Sequence, residues 1–159
     1  MTEASQKLLD PIGLRIIDEL QRNARLPLTE LGRRVGLSTP AVMERVRRLE
    51  EANVILGYRA RINPSLIGYS IHAFITLDNV DGPTLPKLGR ITKALPEVLE
   101  CHRLTGEKSF ILRVVAASIS DLERIIDRLS PFVATSTSLV LSTTLFDRIL
   151  VPHLEHDKS

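Results

Sequence analysis

A chain of 159 residues with 43% hydrophobic and 25% charged residues has the makeup of one or two small globular domains that can bury a core. No apolar run approaches the roughly 20 residues of a membrane-spanning helix, the N-terminus lacks the pattern of a secretory signal, and a single cysteine, Cys101, points to a reducing, cytoplasmic setting. The net charge of +2 decides little, but six arginines against two acids between Arg25 and Arg48 concentrate positive charge where a polyanion can meet it. The first helix opens at Asp10-Pro11, a capping acid followed by a proline that loses no hydrogen bond there. Ile12, Ile16 and Leu20 form its buried stripe with Ile17 beside them, and it ends near Asn23. After Pro27, Thr29 caps a second helix, Thr29 to Val35, that buries Leu31 and Val35 and closes at Gly36. Ser38 caps a third helix, whose Val42, Val46 and Leu49 recur on one face. Three short, closely spaced helices make a helix-turn-helix unit.

Gly57 ends the helical region, Tyr58 to Ile62 alternates as a strand, and Asn63-Pro64 and Gly68 signal turns. From Ser70 the pattern alternates. Ile71 to Val80 reads as a strand, Leu85 to Leu95 as a helix stopped by Pro96, Val98 to Thr105 as a strand, and Ser109 to Ala116 as another. Ser120 and Glu123 form a capping box for a helix through Leu129 that buries Leu122, Ile125, Ile126 and Leu129. Thr135 to Leu145 is the last strand. The order βαββαβ is ferredoxin-like, an antiparallel sheet with two helices on one face. The expected divisions are residues 1–57 for the helix-turn-helix domain, 58–69 as a linker, 70–147 for the βαββαβ domain, and 148–159 as a C-terminal tail.

On the third helix, the face opposite Val42, Val46 and Leu49 carries the candidates for double-stranded DNA. Ser38 and Thr39 can bond phosphates through hydroxyls and helix-end amides. Pro40, Ala41 and Met43 offer apolar contact to thymine methyls. Arg47 and Arg48 reach phosphates or guanine edges, and Arg45, nearer the buried face, suits the backbone. Glu44 either accepts from a cytosine amine or pairs with Arg48, four residues on. Arg33 and Arg34 on the preceding helix are weaker candidates for a backbone contact, with Arg34 carried forward.

The stretches ELGRRVGLSTPAVMERVRRLEEANVILGYRARINPSLIGY, LPEVLECHRLTGEKSFILRV and TSTSLVLS together resemble the Lrp/AsnC, or feast/famine, family of regulators, collinearly from about Leu9 to Leu145. The resemblance implies an α+β chain: a three-helix (winged) helix-turn-helix domain, then a βαββαβ ferredoxin-like ligand-binding (RAM) domain. It also implies homodimers that assemble further to tetramers or octamers, ligand binding and oligomerisation through residues 70–147, nucleoid association, and an amino acid effector bound near the turn between the strands Val98 to Thr105 and Ser109 to Ala116. By that resemblance the effector site draws on Leu104, Thr105, Gly106, Glu107 and Ser109, with Ser136 and Ser138 on the last strand. A zwitterion needs acceptors for its ammonium and donors for its carboxylate, which a glycine turn, Glu107 and hydroxyls supply. Many members carry a second acid in the turn where this chain has Ser109, and an acid in the first helix where it has Gly13, a glycine that costs about 1 kcal/mol if interior.

The expected function is a sequence-specific DNA-binding transcriptional regulator whose oligomerisation or DNA binding answers to a small molecule, with an architectural, DNA-bending protein as the alternative. Catalysis is not expected, nor a cofactor or metal. Cys101 and His102 fall on opposite faces of a strand, and His153 and His156 sit in a polar tail. RNA binding by the sheet needs exposed aromatics in a signature that is absent.

Overall fold

Asp10 opens the helical half as expected: its Oδ1 accepts the Gly13 amide at 2.7 Å and Pro11 sits in the first turn of α1 (Pro11–Arg22). This computed structural model describes residues 7–151. They divide into two units, one up to Arg61 and resuming at Leu145, the other Ile62–Thr144. In the first unit α1 is followed by α2 (Leu28–Val35) and α3 (Thr39–Glu51). Ile16, Leu31, Val42 and Leu49 are almost wholly buried where the three helices meet, each contributing roughly 1.5–3 kcal/mol.

Several local details differ from the sequence reading. Pro27, not Thr29, is the residue before α2, and no side chain caps that helix. Gly36 does close it, at φ 76°, a left-handed conformation that only glycine adopts without strain. Ser38 precedes α3 but bonds none of its amides. Pro40 occupies the second helical position, so one of the two amides an N-cap hydroxyl can reach does not exist. The helical region ends at Asn53, φ 54°, four residues before Gly57. Tyr58 to Ile62 form no strand, since no other strand among the described residues of this unit offers a ladder. Instead the guanidinium of Arg61 lies 5.0 Å from the Phe146 ring centre, and Gln21 exchanges two hydrogen bonds with the Leu150 backbone, at 3.0 and 2.9 Å.

Gly13 is not a weak point in α1. A Cβ there would lie 1.9 Å from the Leu8 carbonyl oxygen, so glycine lets the preceding chain press onto the helix. Packing outweighs propensity at this position.

The second unit runs from a 3-10 turn, Pro64–Ile67, through β1 (Ile71–Asp78), α4 (Leu85–Ala94), β2 (Val98–Arg103), β3 (Lys108–Ala116), α5 (Ile119–Leu129) and β4 (Ala134–Leu139). The sheet order is β2-β3-β1-β4, antiparallel throughout, the ferredoxin-like arrangement. Ala73, Ile75 and Leu77 of β1 with Leu112, Val114 and Ala116 of β3 face the two helices, which contribute Leu88, Leu122, Ile125 and Leu129. Ile126 is only partly buried at the margin.

Strands β1, β2 and β4 stop short of their expected ends. β1 stops at Asp78, because Asn79 turns to φ 49°. β4 ends at Leu139 rather than Leu145, because β1 starts at Ile71 and the last bond available is from the Val140 amide to the His72 carbonyl, 2.9 Å. The capping box on α5 also shifts by two residues. Ser118, in an extended conformation, accepts the Asp121 amide at 3.1 Å and donates to its carboxylate at 2.8 Å, so Ser120 lies inside the helix.

Candidate functional site

The outward face of α3 is set by the burial of its other face. With Val42, Val46 and Leu49 inward, Thr39, Pro40, Ala41, Met43, Arg47 and Arg48 are exposed. Met43 leaves 54% of its surface in water. The Ser38 hydroxyl, freed of capping by Pro40, is available beside the amides of the helix start. This is a surface of hydroxyls, one large apolar group and two guanidinium groups, arranged along a helix of 13 residues.

Its electrostatics are quieter than the arginine count suggests. Arg47 pairs with Glu44 at 2.7 Å and also with Glu51, and Arg48 pairs with the same Glu44 at 2.8 Å. On α2, Arg33 and Arg34 share Glu30 at 2.7 and 2.8 Å, and Arg34 also meets Glu19 at 2.8 Å. Arg45 reaches back to Asp10 at 2.7 Å. Glu51, one turn on along α3, and Glu19 and Asp10, from α1 and its cap, lie outside Arg25–Arg48, so the local excess is neutralised partly by the next turn of the same helix and partly by α1. Among the described residues Arg25 alone of the six has no carboxylate partner. Two guanidinium hydrogen bonds hold Glu44 and Glu30 each at a pKa of about 2. These pairs are exposed and screened by salt, so a phosphate oxygen can take the place of a carboxylate.

In the second unit, Gly106 takes φ 93° at the β2–β3 turn, which the Leu104 amide closes by donating to the Ser109 carbonyl at 2.8 Å. Leu104, Thr105, Gly106 and Glu107 are exposed there. Ser109 is partly buried, and its Oγ accepts the Val80 amide at 3.0 Å. That hydroxyl therefore braces the end of β1 against β3. Ser136 and Ser138 are exposed on β4, opposite Thr76 and Phe74. Within one chain they are not brought to the turn, because β1 and β3 lie between β4 and β2.

A residue beside the turn escaped the sequence reading. Asp78 Oδ2 accepts from Lys108 Nζ at 2.7 Å, while its Oδ1 is buried without a hydrogen-bond partner among the described residues. A strand-ending acid after HAFITL is the only sequence trace of it. Cys101 pairs across the sheet with Leu112 and His102 with Ile111, which places them on opposite faces. No cluster of three or more metal-binding side chains occurs among the described residues. His153 and His156 lie outside them.

Two family models match the chain: the AsnC-type helix-turn-helix domain over residues 9–50 and the Lrp/AsnC ligand binding domain over residues 72–150. The chain is 36% identical over 146 residues to the HTH-type transcriptional regulator LrpA of Mycobacterium tuberculosis, covering 91% of this chain and 97% of that protein. Among solved structures, a feast or famine regulatory protein from M. tuberculosis complexed with L-methionine superposes with a TM-score of 0.84 at 36% identity, covering 91% of this chain and 99% of the other. A transcriptional regulator from Neisseria meningitidis, also in complex with L-methionine, gives 0.84 at 28% identity, covering 90% and 96%.

Proposed function

Because the chain belongs to the Lrp/AsnC family of transcriptional regulators rather than to any family of enzymes, we propose that it is a sequence-specific DNA-binding regulator whose assembly or DNA binding answers to an amino acid. The observation that carries this reading is the outward face of α3, paired in one chain with a ferredoxin-like ligand domain. In the proposed complex α3 enters the major groove. Ser38 and Thr39 meet phosphates, Pro40 and Met43 meet thymine methyls, and Arg47 and Arg48 exchange Glu44 and Glu51 for phosphate or guanine. Arg34 makes a flanking backbone contact. Arg45 contributes through its bond to Asp10, which sets the pitch of α3 against α1.

One copy of α3 offers too few base-facing side chains to specify a site, so two or more copies act together. The sheet face opposite the helices supports such an assembly: Phe74 is 37% exposed there, between Arg113 on β3 and Ser138 on β4. We place a homodimer on this face, associating further to a tetramer or octamer. The effector binds at the β2–β3 turn, with Gly106 at its mouth and the exposed Glu107 carboxylate receiving its ammonium. Ser136 and Ser138, remote within one chain, reach it from a second copy. L-methionine in the two related structures favours an amino acid of that size as the first to try.

The test combines DNA binding with a ligand screen. Replacing Arg47 and Arg48 together by alanine should lower affinity and flatten the salt dependence by up to about two units of slope, at roughly 0.9 per phosphate contact. A folded variant with an unchanged slope removes both residues from the interface. The standard amino acids, L-methionine first, should include at least one that shifts the melting temperature or the oligomer size, with Glu107→Gln weakening the shift and Gly106→Trp abolishing it. A screen in which none has an effect ends the effector reading and leaves an architectural DNA binder.

A further inference from the structure

The helical side of the second unit carries a groove lined by no residue of the turn or of α3. Lys87, Arg90, Ile91 and Ala94 recur at i, i+3, i+4 and i+7, so they share one face of α4. That face is distinct from the one through which Leu88 and Thr92 enter the core. The opposite wall comes from the end of α5, with Asp127 and Arg128, and from Phe132 just beyond it. The groove is shallow and open to solvent, about 600 Å³ in volume. Phe132 is 45% exposed in it, and Lys87 Nζ stands 5.9 Å from its ring centre.

The charges around the groove differ from those on the first unit. Lys87, Arg90 and Arg128 are exposed, and among the described residues none of them forms an ion pair. Lys87 feels Asp81 only at longer range. On α2 and α3 the arginines Arg33, Arg34, Arg45, Arg47 and Arg48 all hold carboxylates. The groove thus has an apolar floor and three cations without an ion pair among the described residues, against one acid, Asp127. A DNA backbone does not need an aromatic floor, and a wholly apolar partner leaves the cations unused. What fits both is an acidic segment of polypeptide with an apolar anchor, its leucine or phenylalanine side chain on Ile91 and Phe132 and its carboxylates on Arg90 and Arg128.

We infer that the α4–α5 groove is a docking site for an acidic, apolar-anchored peptide of a partner protein. A regulator with such a site makes a protein contact through residues that belong neither to its DNA reader nor to its effector turn. The inference does not depend on the identity of the effector or of the DNA site.

The experiment pans a random octapeptide phage library on the 159-residue chain, with Arg90→Glu/Arg128→Glu protein as the counter-selection. Both substitutions are on the surface, and a melting curve verifies folding. The wild-type chain should enrich peptides in which glutamate or aspartate flanks leucine or phenylalanine. A synthetic copy of the leading peptide should lose about tenfold or more in affinity on the double variant and on Phe132→Ala, and a similar amount when its acids become amides. Identical selections on the two proteins, or enriched peptides without acids, overturn the inference. So does a change in oligomer size in the double variant, which assigns the groove to a second copy of this chain. A fall in DNA affinity in that variant assigns it to DNA and overturns it equally.

Discussion

Arg45 Nη1 lies 2.7 Å from Asp10 Oδ1, the same oxygen that accepts the Gly13 amide at 2.7 Å. One carboxylate thus caps α1 and ties it to α3 across 35 residues of sequence. The Arg45 guanidinium, bonded to it directly, and the Gly13 amide hold its pKa below the usual aspartate value. Asp10→Ala should therefore destabilise the chain by about 1–2 kcal/mol, the range for losing an N-cap, as read by urea unfolding. Arg45→Ala should cost less, and adding it to Asp10→Ala should cost little more. Because the folded pKa is depressed, this contribution is complete above the ordinary aspartate pKa and is lost as pH falls through the lowered value. A full additive penalty in the double variant would show the ion pair to be irrelevant.

Gly13→Ala tests whether packing or propensity governs that position. In an open helix the change stabilises by up to about 1 kcal/mol. Here the new methyl meets the Leu8 carbonyl oxygen, and relieving that overlap should cost about 1–3 kcal/mol. Thermal unfolding gives the sign directly, and a stabilised variant would mean that residue 8 moves aside freely.

The two serines at the start of α5 separate in the same way. Ser118→Ala removes the hydroxyl that holds the Asp121 amide and should cost about 1 kcal/mol. Ser120→Ala should change stability by less than about 0.5 kcal/mol. Equal losses would restore the capping box to Ser120 and Glu123.

Glu44 bridges Arg47 and Arg48, so Glu44→Gln should raise affinity for non-specific DNA and steepen its salt dependence by about one unit of slope. With its pKa held at about 2 by those two guanidinium groups, Glu44 remains ionised from the ordinary glutamate range upward and loses its pairs only as pH falls toward 2. Wild-type DNA binding should accordingly show no Glu44 titration between pH 5 and 9. If the variant instead binds its specific site more weakly and non-specific DNA unchanged, Glu44 reads a base rather than screening the arginines.

The elements most legible in the sequence were those with a repeated apolar residue. Val42, Val46 and Leu49 announce α3, and Ile75 and Leu77 announce β1, because burial of one face imposes a period that a single sequence displays. Signals carried by one residue were less dependable. Ser120 and Ser118 are both plausible caps, and only backbone conformation chooses Ser118. Gly57 looked like the stop for the helical region, yet Asn53 takes the left-handed position. Tyr58 to Ile62 alternates like a strand, but alternation cannot supply a neighbour to pair with.

The candidate site divides along the same line. Which residues of α3 face outward follows from the sequence alone, because three buried apolar positions orient all the others. The pairs of Arg47 and Arg48 with Glu44 and Glu51, one turn away on the same helix, follow from helical spacing, but pairs between elements do not. That Glu19 and Asp10 return to pair with Arg34 and Arg45, that Asp78 meets Lys108 and leaves one oxygen unused among the described residues, and that Lys87, Arg90 and Arg128 line the Phe132 groove without an ion pair among the described residues are tertiary facts. Periodicity is a local property, set by the geometry of one helix or strand, whereas charge pairing depends on which distant side chains the packed core brings within a few ångströms.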